Sequence, residues 1–204
     1  HVANGLKQNC PDDEEKDLFE LPEYIAKMVE NNWLGSKSGQ GFYKKEKDEN
    51  GKRKILALNL DTLEYESPTK VKFPTLDMAK PIEDLHQRTK MLVMGMDKAG
   101  EFYRKIFGGL LAYVSNRIPE ISEEYYKIDD ALKAGFGWEL GPFESWDLFG
   151  YEQGVKFIKD AGKSMGASID ELRANGMTSF YKTENGKRMY FDLSSKSYQV
   201  IPGT

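Results

Sequence analysis

The 204 residues hold a single cysteine, Cys10, and only two histidines, His1 and His86. One cysteine cannot close an internal disulfide, which fits a reducing compartment and predicts a cytoplasmic location. No apolar run approaches the roughly 20 residues of a membrane span, and no secretory signal is present. Basic residues are not in excess: 29 Lys and Arg stand against 33 Asp and Glu, a formal net charge of −4. With no long basic run either, the balance argues against a nucleic-acid-binding surface. What remains is ordinary for a soluble globular chain, 39% hydrophobic and 30% charged, with length for one large or two small domains. The chain begins with His1 rather than Met, directly in a helix-like stretch from Val2 to Asn9, and reads as a fragment of a longer polypeptide.

Periodicity gives the elements in order. Leu21, Ile25, Met28 and Val29 recur at helical spacing, with Pro22 in the first turn and an end near Asn31-Asn32. Gly35 to Tyr43 is glycine-rich. It is not a Walker A loop, because no Gly-Lys-Ser/Thr closes the spacing, and no strand precedes it as a dinucleotide loop requires. It reads as a structural turn in which Lys37 is the only group suited to a ligand. Lys52–Leu60 and Glu64–Ser67 read as strands, with Asn50-Gly51 as a hairpin signal because both positions tolerate positive φ. Pro68, Pro74 and Pro81 mark a connecting segment. Leu85 to about Arg117 is strongly helical, and Gly95, Gly100 and Gly108-Gly109 predict a kink or a pair of helices. Tyr151–Ala161 is a further helix, and Ile169–Leu172 a short one.

The two halves end alike. Phe42-Tyr43-Lys44 is echoed by Phe180-Tyr181-Lys182. Glu49-Asn50-Gly51-Lys52-Arg53 is echoed by Glu184-Asn185-Gly186-Lys187-Arg188, and Leu60 and Tyr65 by Leu193 and Tyr198. Each half is therefore expected to close with a helix, a Phe-Tyr turn and a small antiparallel hairpin or meander, in a chain that is mainly α.

The densest stretch is Ile128 to Gly150. Ile128, Ala131, Leu132 and Ala134 form a short helical face, and Gly135 is expected to supply the positive φ that ends it. Gly141-Pro142 restarts the chain, since proline tolerates the first helical turn. Phe143, Trp146, Leu148 and Phe149 continue as an apolar stripe to Gly150. Asp129, Asp130, Glu139, Glu144 and Asp147 make the zone rich in carboxylates, with no His or Cys at metal-ligand spacing beside them. Caps and bend contacts are the simplest use of Glu144 and Asp147, three apart on one helix face.

This stretch resembles the helix–bend–helix signature of the C-terminal domain of 3-hydroxyacyl-CoA dehydrogenases. Ile128-Asp129, Ala131, Gly135, Gly137, Gly141-Pro142-Phe143, Asp147 and Gly150 fall on that pattern, in a form most similar to the large multi-domain members. The string Gly35 to Tyr43 resembles the one that closes the same domain. The resemblance implies the tail of a first such unit over residues 1–74 and a complete second unit over 75–204. It implies an NAD-dependent (S)-3-hydroxyacyl-CoA dehydrogenase of fatty-acid β-oxidation, converting 3-hydroxyacyl-CoA and NAD to 3-oxoacyl-CoA and NADH. NAD and the catalytic His–Glu pair then belong to a preceding nucleotide-binding domain, which nothing in this chain matches. Neither His1 nor His86 falls in the catalytic motif. The fragment alone is expected to be inactive and to bind no cofactor or metal. Its expected partners are its own nucleotide-binding domain, the acyl-CoA, an enoyl-CoA hydratase domain and a further copy in a homo-oligomer.

Two side chains carry the site expectations. Val114-Ser115-Asn116-Arg117 matches the family's apolar-x-Asn-Arg string and places Asn116 on the position of its substrate-facing asparagine. A helix-end hydrogen bond is the alternative use, because the working asparagine of two-unit relatives is expected in the first unit. Lys37 is the candidate for substrate binding. Two other readings stay open: a non-catalytic structural or assembly module, and the helical domain of another β-hydroxy-acid dehydrogenase.

Overall fold

The computed structural model describes residues 2–203; His1 lies outside the described residues. The chain divides into two compact units, residues 1–71 and 72–204.

The first unit opens with α1 (Val2–Asn9), a 3-10 turn at Lys16–Phe19 and α2 (Glu23–Glu30). A second 3-10 turn at Ser36–Ser38 leads into β1 (Tyr43–Lys47), β2 (Arg53–Leu58) and β3 (Tyr65–Glu66). The three strands form an antiparallel meander with β2 in the middle. Tyr43 thus begins a strand, where the sequence suggested a turn. The hairpin tip also differs from the expectation at Asn50-Gly51. Only Gly51 has positive φ, at 77°. The Asp48 carboxylate accepts the N–H groups of Asn50 and Lys52, which widens the connection beyond a two-residue turn. Few side chains are buried in this unit: Met28 of α2, and Leu56 and Leu58 of β2.

The second unit holds seven helices among its described residues and a second meander. Helix α3 (Pro74–Ala79) lies where the prolines suggested only a connector. Pro74 occupies its first turn, where the missing N–H costs nothing. The long helical stretch is a pair, α4 (Leu85–Met94) and α5 (Lys98–Asn116). Asp97 causes the break: its carboxylate caps α5 through Ala99 N–H and Gly100 N–H and also accepts the Thr75 N–H at 2.9 Å. Gly95 is needed because a Cβ there would meet the Thr75 side chain at 2.1 Å. Then follow α6 (Tyr125–Phe136), α7 (Pro142–Phe149), α8 (Tyr151–Asp160) and α9 (Ala167–Ala174). The chain closes with β4 (Tyr181–Glu184), β5 (Lys187–Asp192) and β6 (Ser197–Val200), again antiparallel with the middle strand second. Helix α6 ends two residues later than expected. Gly135 is inside the helix, and Gly137, at φ 67°, supplies the left-handed cap. The core of this unit joins Leu111 and Val114 of α5, Tyr125, Phe143, Trp146, Ile158, Ile169 and Leu172 to Phe180, just before β4, and Phe191 of β5.

The internal repeat is legible bond by bond. Tyr65 Oη donates to the Gly41 carbonyl at 2.5 Å, and Tyr198 Oη to the Ser179 carbonyl at 2.8 Å. Leu58 N–H donates to Phe42 O, as Phe191 N–H does to Phe180 O. Lys44 lies over the Tyr65 ring and Lys182 over that of Tyr198. The correspondence extends back into the preceding helix. Asn31 Nδ2 donates to Lys27 O at the end of α2, and Asn175 Nδ2 to Glu171 O at the end of α9. Trp33 N–H then returns to Met28 O, as Met177 N–H returns to Leu172 O. By this register Ile25 corresponds to Ile169, Phe42 to Phe180 and Tyr43 to Tyr181.

Candidate functional site

The helix–bend–helix of α6 and α7 is built around three carboxylates. Asp129, on α6, is fully buried. It accepts Phe143 N–H at 2.9 Å, Glu144 N–H at 3.0 Å and Tyr181 Oη–H at 2.9 Å. One side chain therefore caps α7 from the neighbouring helix and ties both to β4. Gly141 permits this approach: a Cβ there would lie 2.2 Å from Asp129 Cγ. Burial pushes the Asp129 carboxyl up to about 7, against the lowering effect of its donors.

Glu144 closes the capping box on Gly141 N–H at 2.6 Å. It also meets Lys133 Nζ at 2.9 Å and Arg188 Nη2 at 2.5 Å. Burial works to raise this carboxyl, but the Gly141 N–H and the two cations outweigh it and hold it below its usual range. Asp147, on α7, accepts Phe180 N–H and Tyr181 N–H, both at 2.7 Å, and so fixes the first strand of the sheet to the helix. Burial raises it to about 6. Asp130 pairs with Lys133 at 3.2 Å.

Aromatic rings fill the space between these anchors. Phe180 lies 5.4, 5.1 and 5.0 Å from the rings of Tyr125, Phe143 and Trp146. Tyr125 Oη donates to Phe180 O and accepts Phe191 N–H, which locks two strands to α6. Nothing in the sequence singles Tyr125 out; its role follows from the strand N–H it happens to face. The same holds for Ser115, whose Oγ donates to Ala112 O and accepts Gly166 N–H.

The two predicted site residues lie in different units. Asn116 is the last residue of α5 and half-buried, and its Nδ2 donates to Ser164 O at 3.2 Å. Beside the Ser115–Gly166 bond, this fastens the end of α5 to the loop before α9. Lys37 is exposed on the Ser36–Ser38 turn. Four N–H groups of the glycine-rich loop around it bond within the loop: Gly35 to Gln40 O, Ser38 to Gly35 O, Gly39 to Ser36 O and Gly41 to Tyr43 O.

Between α4, α5 and the bend lies an open apolar groove of about 430 Å³, lined by Leu85, Thr89, Phe102, Phe107, Leu110 and Trp138. Phe102 and Ile106 beside it are 60% and 53% exposed. Among the described residues no cluster of three or more His, Cys, Asp or Glu is placed to hold a metal, and no helix is long and apolar enough to cross a membrane. Both sheets are small three-stranded antiparallel meanders.

The sequence is homologous to 3-hydroxyacyl-CoA dehydrogenases and to fatty acid oxidation trifunctional enzymes, over a small part of those proteins. A Bacillus subtilis (strain 168) protein named as a 3-hydroxyacyl-CoA dehydrogenase is 40% identical over 192 residues, 94% of this chain and 24% of the relative. A Rickettsia felis protein named as a fatty acid oxidation complex trifunctional enzyme is 28% identical over 139 residues, 67% of this chain and 17% of the relative. A Deinococcus radiodurans protein, also named as a 3-hydroxyacyl-CoA dehydrogenase, is 51% identical over 49 residues, 24% of this chain and 13% of the relative. The chain thus spans a quarter or less of each relative's length. No family model matches the chain, and no solved structure matches it.

Proposed function

We propose that these residues are the helical C-terminal part of an NAD-dependent 3-hydroxyacyl-CoA dehydrogenase acting in fatty-acid β-oxidation in the cytoplasm. Residues 1–74 are the tail of a first helical unit and residues 75–204 a second one. The observation that carries this reading is homology over 94% of the chain to a protein named for that reaction. In this reading NAD and the proton-abstracting base belong to another domain, and this part encloses the acyl-CoA and packs on its neighbours. The groove beside Phe102 and Trp138 is the face we assign to that packing, because its aromatic side chains are open to solvent in these residues. The test is an assay of the full-length polypeptide with a 3-hydroxyacyl-CoA and NAD, following NADH. Turnover is expected from that polypeptide and none from the 204 residues alone. No turnover from the former, or turnover from the latter, overturns the reading.

One observation favours a purely architectural role for the second unit: the Asn116 amide and three carboxylates of the signature are all engaged with the fold. Asn116→Ala in the full-length polypeptide separates the two. A substrate-facing Asn116 predicts a loss of kcat/KM of about tenfold or more with the melting temperature kept, a tenfold loss being about 1.4 kcal/mol of transition-state stabilisation. A purely architectural Asn116 predicts unchanged kcat/KM and a modest fall in stability.

A further inference from the structure

The repeat gives one surface two different surroundings. In the second unit Phe180 is 1% exposed and Ile169 fully buried, under the rings of α6 and α7. At the corresponding places of the first unit, Phe42 is 46% exposed, Tyr43 66% exposed and Ile25 half-buried. Ile25 also lines an open groove of about 800 Å³ with Phe19, Leu21 and Val29. The backbone differs in the same way. Phe180 N–H and Tyr181 N–H both end on the Asp147 carboxylate. Among the described residues no carboxylate stands against Phe42 N–H and Tyr43 N–H. The Leu58 N–H bond to Phe42 O puts Tyr43 in a position whose own N–H points away from β2. An outward N–H at Tyr43 beside an exposed aromatic face marks a strand edge that another segment can cover.

We propose that this face of the first unit, formed by Ile25, Phe42 and Tyr43, is the docking surface for a second helix–bend–helix like Tyr125–Phe149. That segment carries an aspartate whose carboxylate accepts the Phe42 and Tyr43 N–H groups. Its occupant is a stretch of the full-length polypeptide outside these 204 residues. The Ile128–Gly150 string occurs once in this chain. Its own Asp147 is already committed to Phe180 and Tyr181. The B. subtilis relative, matched over only 24% of its length, has ample chain to supply another. The inference rests on the reading of residues 1–74 as the tail of a unit like the second, and on the repeat rather than on the reaction.

Amide hydrogen exchange tests it. In the 204-residue chain the Phe42 and Tyr43 amides should exchange about a hundredfold or more faster than those of Phe180 and Tyr181. In the full-length polypeptide the two pairs should be protected alike. Phe42→Asp should lower the melting temperature of the full-length polypeptide by more than that of the 204-residue chain, where the side chain is 46% exposed and meets the Tyr24 ring edge-on. Amides of Phe42 and Tyr43 that stay fast in the full-length polypeptide overturn the proposal. So does protection in the 204-residue chain that grows with its concentration, which would make a second copy the occupant. Dehydrogenase activity in the same preparation keeps the two readings apart: activity with unprotected amides removes the docking surface alone, and protection without activity removes the reaction alone.

Discussion

Asp129 shows how one side chain can hold three elements and leave a mark on pH dependence. It caps α7 and anchors Tyr181, all from a fully buried place on α6. Its carboxyl is raised from 3.8 to about 7 by burial. Below about pH 4 it is protonated whether the chain is folded or not, so it adds no pH dependence. Between about pH 4 and pH 7 the unfolded chain has released this proton and the folded chain keeps it. Folding then takes up a proton, and stability falls as pH rises through that window. At about 1.4 kcal/mol per unit of difference, the full effect is on the order of 4 kcal/mol. Asp147, raised to about 6, acts in the same direction over a narrower range. Asp129→Asn stays neutral at every pH, so the gap in urea midpoint between wild type and variant should move in the variant's favour from pH 4 to pH 7 and then level off. A gap that is flat from pH 4 to pH 8 would show that Asp129 is ionised throughout.

At the scale of elements, glycines decide how close the helices come. A Cβ on Gly108 would lie 2.2 Å from the Phe157 carbonyl oxygen, so α5 and α8 meet backbone to backbone there. Its neighbour Gly109 has nothing within 4 Å of such a Cβ. Gly108→Ala should therefore destabilise the chain by about 1–3 kcal/mol, because the two helices must move apart. Gly109→Ala should stabilise it by about 0.5–1 kcal/mol, the ordinary helix preference of alanine over glycine. Opposite signs at adjacent positions in thermal unfolding would support the packing described; the same sign at both would contradict it. The sequence shows both glycines but not which of them faces another helix. The same limit explains what was and was not legible elsewhere. The spans of α2, α5 and α8 follow from periodicity and were readable, but not which side is buried: Val29 of α2 is 60% exposed, and Phe102 and Ile106 of α5 are 60% and 53% exposed. The short α3 was not, because Pro74 looks the same in a connector and in a first helical turn. Asn-Gly marks both hairpins, yet only Asn185-Gly186 is a tight turn with positive φ at both residues. At Asn50-Gly51 the Asp48 carboxylate competes for the turn's N–H groups. As for the candidate site, the motif aspartates were visible as letters, but their partners Phe180 and Tyr181 lie 33 to 52 residues away. Only the fold brings those together.

At the scale of the whole molecule the two units differ in how much they bury. Every member of the main core cluster, from Leu111 to Ile201, belongs to residues 72–204. The first unit buries Met28, Leu56 and Leu58 and exposes Val2, Leu18, Leu34, Phe42, Tyr43 and Ile55. Buried apolar area stabilises by about 25 cal/mol per Å², and ordering a residue's backbone costs about 1–2 kcal/mol. A stretch of this length with so thin a core does not offset that entropy, and small domains are the first to fail on this account. Residues 72–204, expressed alone, should therefore unfold in a single cooperative transition within a few degrees of the main transition of the 204-residue chain. Residues 1–71 alone should show no cooperative melting in circular dichroism. If residues 1–71 melt cooperatively in isolation, their meander and α2 are self-sufficient, and the exposed Phe42 face would then be an ordinary surface rather than one that waits for a covering segment.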